Sequence, residues 1–200
     1  MSDDVMWQCL ISEPEGSIRL PVGGGAESGE WAKRAARQYL GTDAPRSEIR
    51  ELASALARVA ATADLGDPTF AYAYVIDAAK AVTAVYEVHD YDGDGYRSTD
   101  RLPDLLEAVL PTSPERRSVT EVNLPAGPGV RVQELLSVET GSLFKKKTLM
   151  ETVTYAVLPP QVDNILVFRM SWTSLVFSEA LLELAQTLAE SLELTEIKEG

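Results

Sequence analysis

Four extended segments in succession, Ser118–Leu124, Val130–Glu139, Leu149–Leu158 and Ile165–Thr173, constrain this chain more than any other feature. They are joined by "PAGPG", "TGSLFKKK" and "PPQVDN", and turn-rich joints of that kind separate antiparallel neighbours. A hairpin is predicted upstream. Phe70, Tyr72 and Tyr74 alternate with Ala71, Ala73 and Val75, giving a strand with one aromatic and one small-residue face. "DAAK" then turns the chain into a second strand, Val82–His89. Three aromatics in register could stack a base or a sugar; more often such a stripe is core beneath a helix.

Elsewhere the apolar spacing is helical. Trp31, Ala35 and Tyr39 recur every four residues from Gly29 to Leu40, and Gly41 supplies a stop. From Pro45 to Ala61, Ile49, Leu52, Leu56 and Val59 form one stripe. Leu102, Leu105, Leu106 and Val109 make a third, closed by Pro111. The last is Ser178–Leu194, with Leu181, Leu184, Ala185, Leu188 and Leu192 in a line and Ser178 as its cap; it is predicted to lie on the sheet. The expected architecture is α+β, an antiparallel sheet of six or more strands flanked by helices in α/β/α layers. Residues 1–200 are read as one domain: short strands (Val5–Ser12, Ser17–Val22) and a flexible glycine loop in 1–25, two helices in 28–61, and the sheet with its helices in 70–194.

The carboxy-terminal half carries a resemblance. "VNLPAGPGVRV", "YAVLPPQVDNILVFRMSW" and "SEALLELAQTLAESL" follow one another as a Leu-Pro turn, paired strands and a closing amphipathic helix. That order looks like uncharacterised actinobacterial proteins and is similar to the PsbP-like α/β/α fold. The resemblance implies an accessory or binding role rather than catalysis, and it transfers no functional residues.

Composition removes several function classes. Eighteen basic against 31 acidic residues give a net charge of −13, which repels phosphate backbones and anionic lipid, so neither nucleic acid nor membrane is an expected partner. Cys9 is the only cysteine, which excludes an internal disulfide and zinc sites of the CxxC type. "MSDDVMWQCL" has no signal-peptide pattern, no stretch approaches the roughly 20 apolar residues of a spanning helix, and the expected address is cytoplasmic. "GGGAESGEW" precedes a helix, but it has no GK[ST] or GxGxxG frame, and Glu27 and Glu30 would repel a phosphate. It reads as a helix entry with Ser28 as N-cap.

Catalytic patterns are sparse. His89 is the only histidine, no GxSxG elbow exists, and a nucleophile–base pair would have to be Cys9 with His89. Paired carboxylates for a hydrolase of unrecognised type stay open, since the spatial separation of the many acidic residues is invisible in sequence. No catalytic, cofactor-binding or metal residue is assigned. "HDYDGDGYRSTDRL" places Asp90, Asp92, Asp94 and Gly95 like the first half of an EF-hand loop, yet Arg101 falls at position 12, where the bidentate carboxylate belongs. A strand-to-helix turn is the leading reading and weak calcium binding the alternative. "FKKK", Phe144–Lys147, is the one dense basic cluster. Lys145, Lys146 and Lys147 are the predicted interaction patch, although exposed lysines also guard strand edges. The functional expectation is therefore a non-catalytic accessory or adaptor protein acting through protein contacts, with homo-oligomerisation open and a small-ligand or weak calcium-binding module as the alternative.

Overall fold

A computed structural model of the chain describes residues 6–23, 28–76, 81–93, 96, 98–109, 113–140 and 146–197. The elements run β1 (Met6–Leu10), β2 (Ser17–Arg19), α1 (Ser28–Leu40), α2 (Arg46–Gly66), β3 (Phe70–Ile76), β4 (Ala81–Asp92), α3 (Leu102–Val109), β5 (Arg116–Leu124), β6 (Gly127–Thr140), β7 (Lys146–Val157), β8 (Asn164–Trp172), α4 (Ser178–Glu190) and β9 (Glu193–Ile197). Two 3-10 turns, Thr99–Arg101 and Leu175–Phe177, lead into α3 and α4.

Seven strands form one sheet in the order β2-β3-β4-β8-β7-β6-β5. Every neighbouring pair in it is antiparallel. The four carboxy-terminal strands make the expected meander, and the expected β3–β4 hairpin forms beside it. The two blocks join where β4 pairs with β8, from Ala84↔Trp172 to Asp92↔Asn164.

Alternation along the strands sorts the side chains onto two faces. Phe70, Tyr72, Tyr86, Tyr155, Phe168 and Trp172 point to one face, where α4 lays down Leu181, Ala185 and Leu188, with Leu192 just beyond its end. Ala71, Ala73 and Val75 point to the other and meet Ala32 and Ala36 of α1 with Leu52, Leu56 and Ala60 of α2. On that same face α3 covers Val130, Val132, Ala156, Ile165 and Val167 with Leu102, Leu105 and Leu106. The result is the α/β/α layering that a two-faced apolar sheet requires.

Several boundaries depart from the sequence reading, among them β4, which runs on to Asp92, and β6, which starts at Gly127. α2 continues to Gly66, because Ala60 and Ala63 keep its buried stripe running past Ala61. β7 begins at Lys146, so the lysines belong to a strand and not to the connection. α4 stops at Glu190, and Glu193–Ile197 becomes β9, which pairs with β1 in a separate two-stranded sheet, Met6↔Ile197 to Leu10↔Glu193. Leu192 lies at helical spacing from Leu188 and is buried, so by sequence it reads as one more turn of helix. Ser178 opens α4 without capping it: its Oγ accepts the Trp172 indole N–H at 3.1 Å. Residues 24–27, within the glycine stretch, lie outside the described residues.

Candidate functional site

The sheet is ragged at one end. β5 accompanies β6 only as far as Arg116↔Leu135, and β8 accompanies β7 only as far as Glu151↔Trp172. The β6–β7 pair continues without them, from Leu136↔Met150 to Thr140↔Lys146. This stretch is a two-stranded arm with no further strand on either side among the described residues. Each edge carries backbone N–H and C=O groups that a third strand can use.

Alternation places Lys147 and Leu149 on the α4 face of the arm, in line with Glu151 and Val153. The turn Leu175–Phe177 lies against β7 on that face. Leu149 is 43% exposed, Leu175 39% and Val176 84%, an unusual concentration of bare apolar side chains at one end of the molecule. Lys147 is exposed and stands across from Glu139. Of the predicted interaction residues, Lys147 therefore sits on the arm. Lys146 is the first residue of β7, and Lys145 lies outside the described residues. Leu149, Leu175 and Val176 were not singled out by sequence. The available signal was "SLVF", an apolar run within what reads as a loop between the last long strand and the last helix.

The acidic segment begins as strand. Asp90 and Asp92 belong to β4, and the Asp90 carboxylate accepts a hydrogen bond from Asn164 Nδ2 at 2.8 Å. Gly93 then passes so close to β8 that a Cβ there would come within 2.0 Å of the Asp163 carbonyl oxygen, which explains the glycine without a ligand. The Arg101 guanidinium lies 5.2 Å from the centre of the Tyr96 ring, a cation–π contact. Asp94 and Gly95 fall outside the described residues, and among the described ones no three His, Cys, Asp or Glu gather as metal ligands.

Cys9 and His89 are on opposite faces of the large sheet. Cys9 packs against the aromatic cluster. Burial, followed by the charge of Asp90, pushes its thiol up to about 11, away from thiolate reactivity. His89 is buried on the other face, near Gly66 at the end of α2, with Nε2 3.5 Å from the Glu87 carboxylate and its ring stacked on Tyr91 at 5.7 Å. Further across this face β6 and β7 carry buried polar residues. Thr152 and Thr154 are buried there, and Glu134 lies 3.7 Å from Arg117 Nε.

These features define a class first: an α/β/α protein whose antiparallel sheet extends into a free-edged arm. No protein-family model matches the sequence, and no curated protein does either. Among solved structures the fold is similar to LpqN, described as involved in cell envelope biogenesis of Mycobacterium tuberculosis. The TM-score is 0.53 at 10% identity, over 97% of this chain and 87% of LpqN. The likeness is one of fold, and it spans nearly the whole chain where the sequence resemblance spanned only the carboxy-terminal half. Among the described residues, no helix is long and apolar enough to cross a membrane.

Proposed function

We propose that this chain is a non-catalytic accessory protein that docks an extended, acidic segment of a protein partner along the β6–β7 arm. One observation carries the reading: the arm outruns both flanking strands, so that no further described strand pairs with its edges, beside Lys147 and the bare side chains of Leu149, Leu175 and Val176. Strand addition uses such an edge for affinity, with alternate side chains for selectivity. Here Lys147 favours a carboxylate and the apolar patch takes the intervening side chains. The PsbP-like resemblance and the role in cell envelope biogenesis named for LpqN agree with an accessory role and identify no partner.

The test is affinity capture from the native host, followed by amide hydrogen exchange of the captured complex. Strand addition slows exchange at residues 147–150, and a variant with Lys145, Lys146 and Lys147 all changed to Glu loses the partner. A captured partner that leaves those amides exchanging as in the free protein places docking elsewhere. A cytoplasmic address belongs to the same reading. Recovery of the chain with the envelope fraction of fractionated cells would overturn it.

A further inference from the structure

The second site is carried by an independent observation, the outer crease of the α1–α2 hairpin. Gly41, at φ +85°, closes α1 by donating its N–H to the Arg37 carbonyl at 3.0 Å and lets the chain double back into α2. Ala32, Ala36, Leu52 and Leu56 are buried with the small-residue face of the sheet. On another flank the helices leave an open groove of about 710 Å³.

Lys33 and Arg37 stand on one wall, Arg46 and Arg50 on the other, and Ile49, Ala53 and Ala57 lie between them. Among the described residues no carboxylate lines the groove, in a chain whose net charge is −13, and Glu30 stands beside it. Lys33 is bridged to Glu30 at 2.7 Å, while Arg37, Arg46 and Arg50 take part in none of the ion pairs among the described residues. All four cations are exposed.

We propose that this groove docks an acidic amphipathic helix from a protein partner. Gly29, Lys33 and Arg37 recur at one helical face, so the groove follows the axis of α1 for roughly 12 Å, about two turns of a guest helix. Ala53 and Ala57 in its floor let a guest backbone come close. Cations on both walls match carboxylates flanking an apolar stripe on both sides, the pairing that fixes helix register and orientation in helix-in-groove recognition. A lone anion would call for charges converging on a point, and an aliphatic tail for an enclosed tunnel; four spread cations along an open groove provide neither. The chain's own α4 cannot be the guest, because its apolar stripe is buried on the sheet.

The probe is a fluorescein-labelled synthetic helix with leucines at i, i+3, i+4 and i+7 and glutamates on both flanks, read by anisotropy against the full chain. A second peptide carries lysines in place of the glutamates, and dodecyl phosphate serves as competitor. The acidic peptide is expected to bind saturably and the basic one not. Arg46→Glu with Arg50→Glu should weaken binding by about tenfold or more, with unchanged thermal melting, since both side chains are exposed. Lys147→Glu on the arm leaves this binding intact, which separates the groove from the arm. Absence of saturable binding, equal binding of the two peptides, full affinity in the double variant, or displacement by dodecyl phosphate at equimolar concentration would each overturn the proposal.

Discussion

The two faces of the sheet solve the same packing problem in opposite ways. On the α4 face the sheet supplies the bulk: rings step across the strands from Phe70 to Tyr72, Tyr86, Phe168 and Tyr155, with Tyr72 and Tyr86 stacked at 4.9 Å and the other steps at 6.0 to 6.3 Å. One helix of 13 residues, supported by Ile11 and Cys9, completes that layer. On the opposite face the sheet supplies alanines and valines, and the bulk comes from three helices. Close packing demands that the interlayer volume be filled, and either layer can fill it. Large sheet residues leave room for a single helix with several alanines; small ones require a tightly seated helical pair.

The aromatic face also manages its polar atoms. Tyr155 donates to Gln186 of α4 at 2.7 Å, Tyr86 donates to Ser17 at 2.9 Å, and Tyr72 donates to Glu13. Burial pushes the Tyr86 hydroxyl up to about 12. The helical face instead buries His89, Thr152 and Thr154 together with Glu134.

The contrast can be broken most strongly at Leu188, which is 1% exposed and central to the α4 stripe. Leu188→Ala should cost about 2–5 kcal/mol in denaturant unfolding through lost burial and a cavity that rigid rings cannot fill. Near-native melting, together with a lost partner, would instead mark α4 as a detachable binding element. The opposite change belongs on the other face. Ala73, fully buried beneath the helical hairpin, has no room, and Ala73→Leu should destabilise by about 1–3 kcal/mol through overpacking. If that variant melts like the wild type, α1 and α2 are not seated as tightly as the contrast requires.

Cys9 sharpens the comparison by pH. Its thiol is raised to about 11, so the unfolded chain ionises first. The stabilisation from keeping it neutral is full below the ordinary thiol value of about 8.5 and is lost as pH rises through about 11. Alkylation of the folded protein should accordingly be slow at pH 8 and climb towards pH 11; a midpoint near the ordinary value would place Cys9 outside the aromatic layer.

Smaller effects are expected on the arm. Lys147→Ala should change stability by no more than about 0.5 kcal/mol while weakening partner capture. If unfolding is unaffected, capture is unaffected and the variant aggregates, the lysine is an edge guard and not a docking residue. The smallest effect is expected at the acidic segment, where calorimetry should show no calcium binding tighter than about 10⁻⁴–10⁻³ M. A micromolar site removed by Asp92→Ala would restore the calcium reading.

Local chemistry by itself determined most of the elements. Period-2 and period-3.6 patterns located β3 to β8 and all four helices, and short turns determined that β5 to β8 and β3–β4 are antiparallel, because each joint brings together residues already close in sequence. Only the tertiary structure decided that β4 and β8 join the two blocks. Val167 and His89 are far apart in the chain, and nothing local distinguishes that pairing from one between β4 and β5. The same holds for β9, whose exchange of a helical turn for a strand depends on β1 being there to bond it. The interaction sites divide in the same way. The three lysines were visible as a run of charge, but the arm exists because β5 and β8 end before β6 and β7 do. Likewise Lys33, Arg37, Arg46 and Arg50 look like solvated helix surface in sequence. They become the walls of one groove only when Gly41 folds α2 back along α1, because charge acts through distance in space and sequence records only distance along the chain.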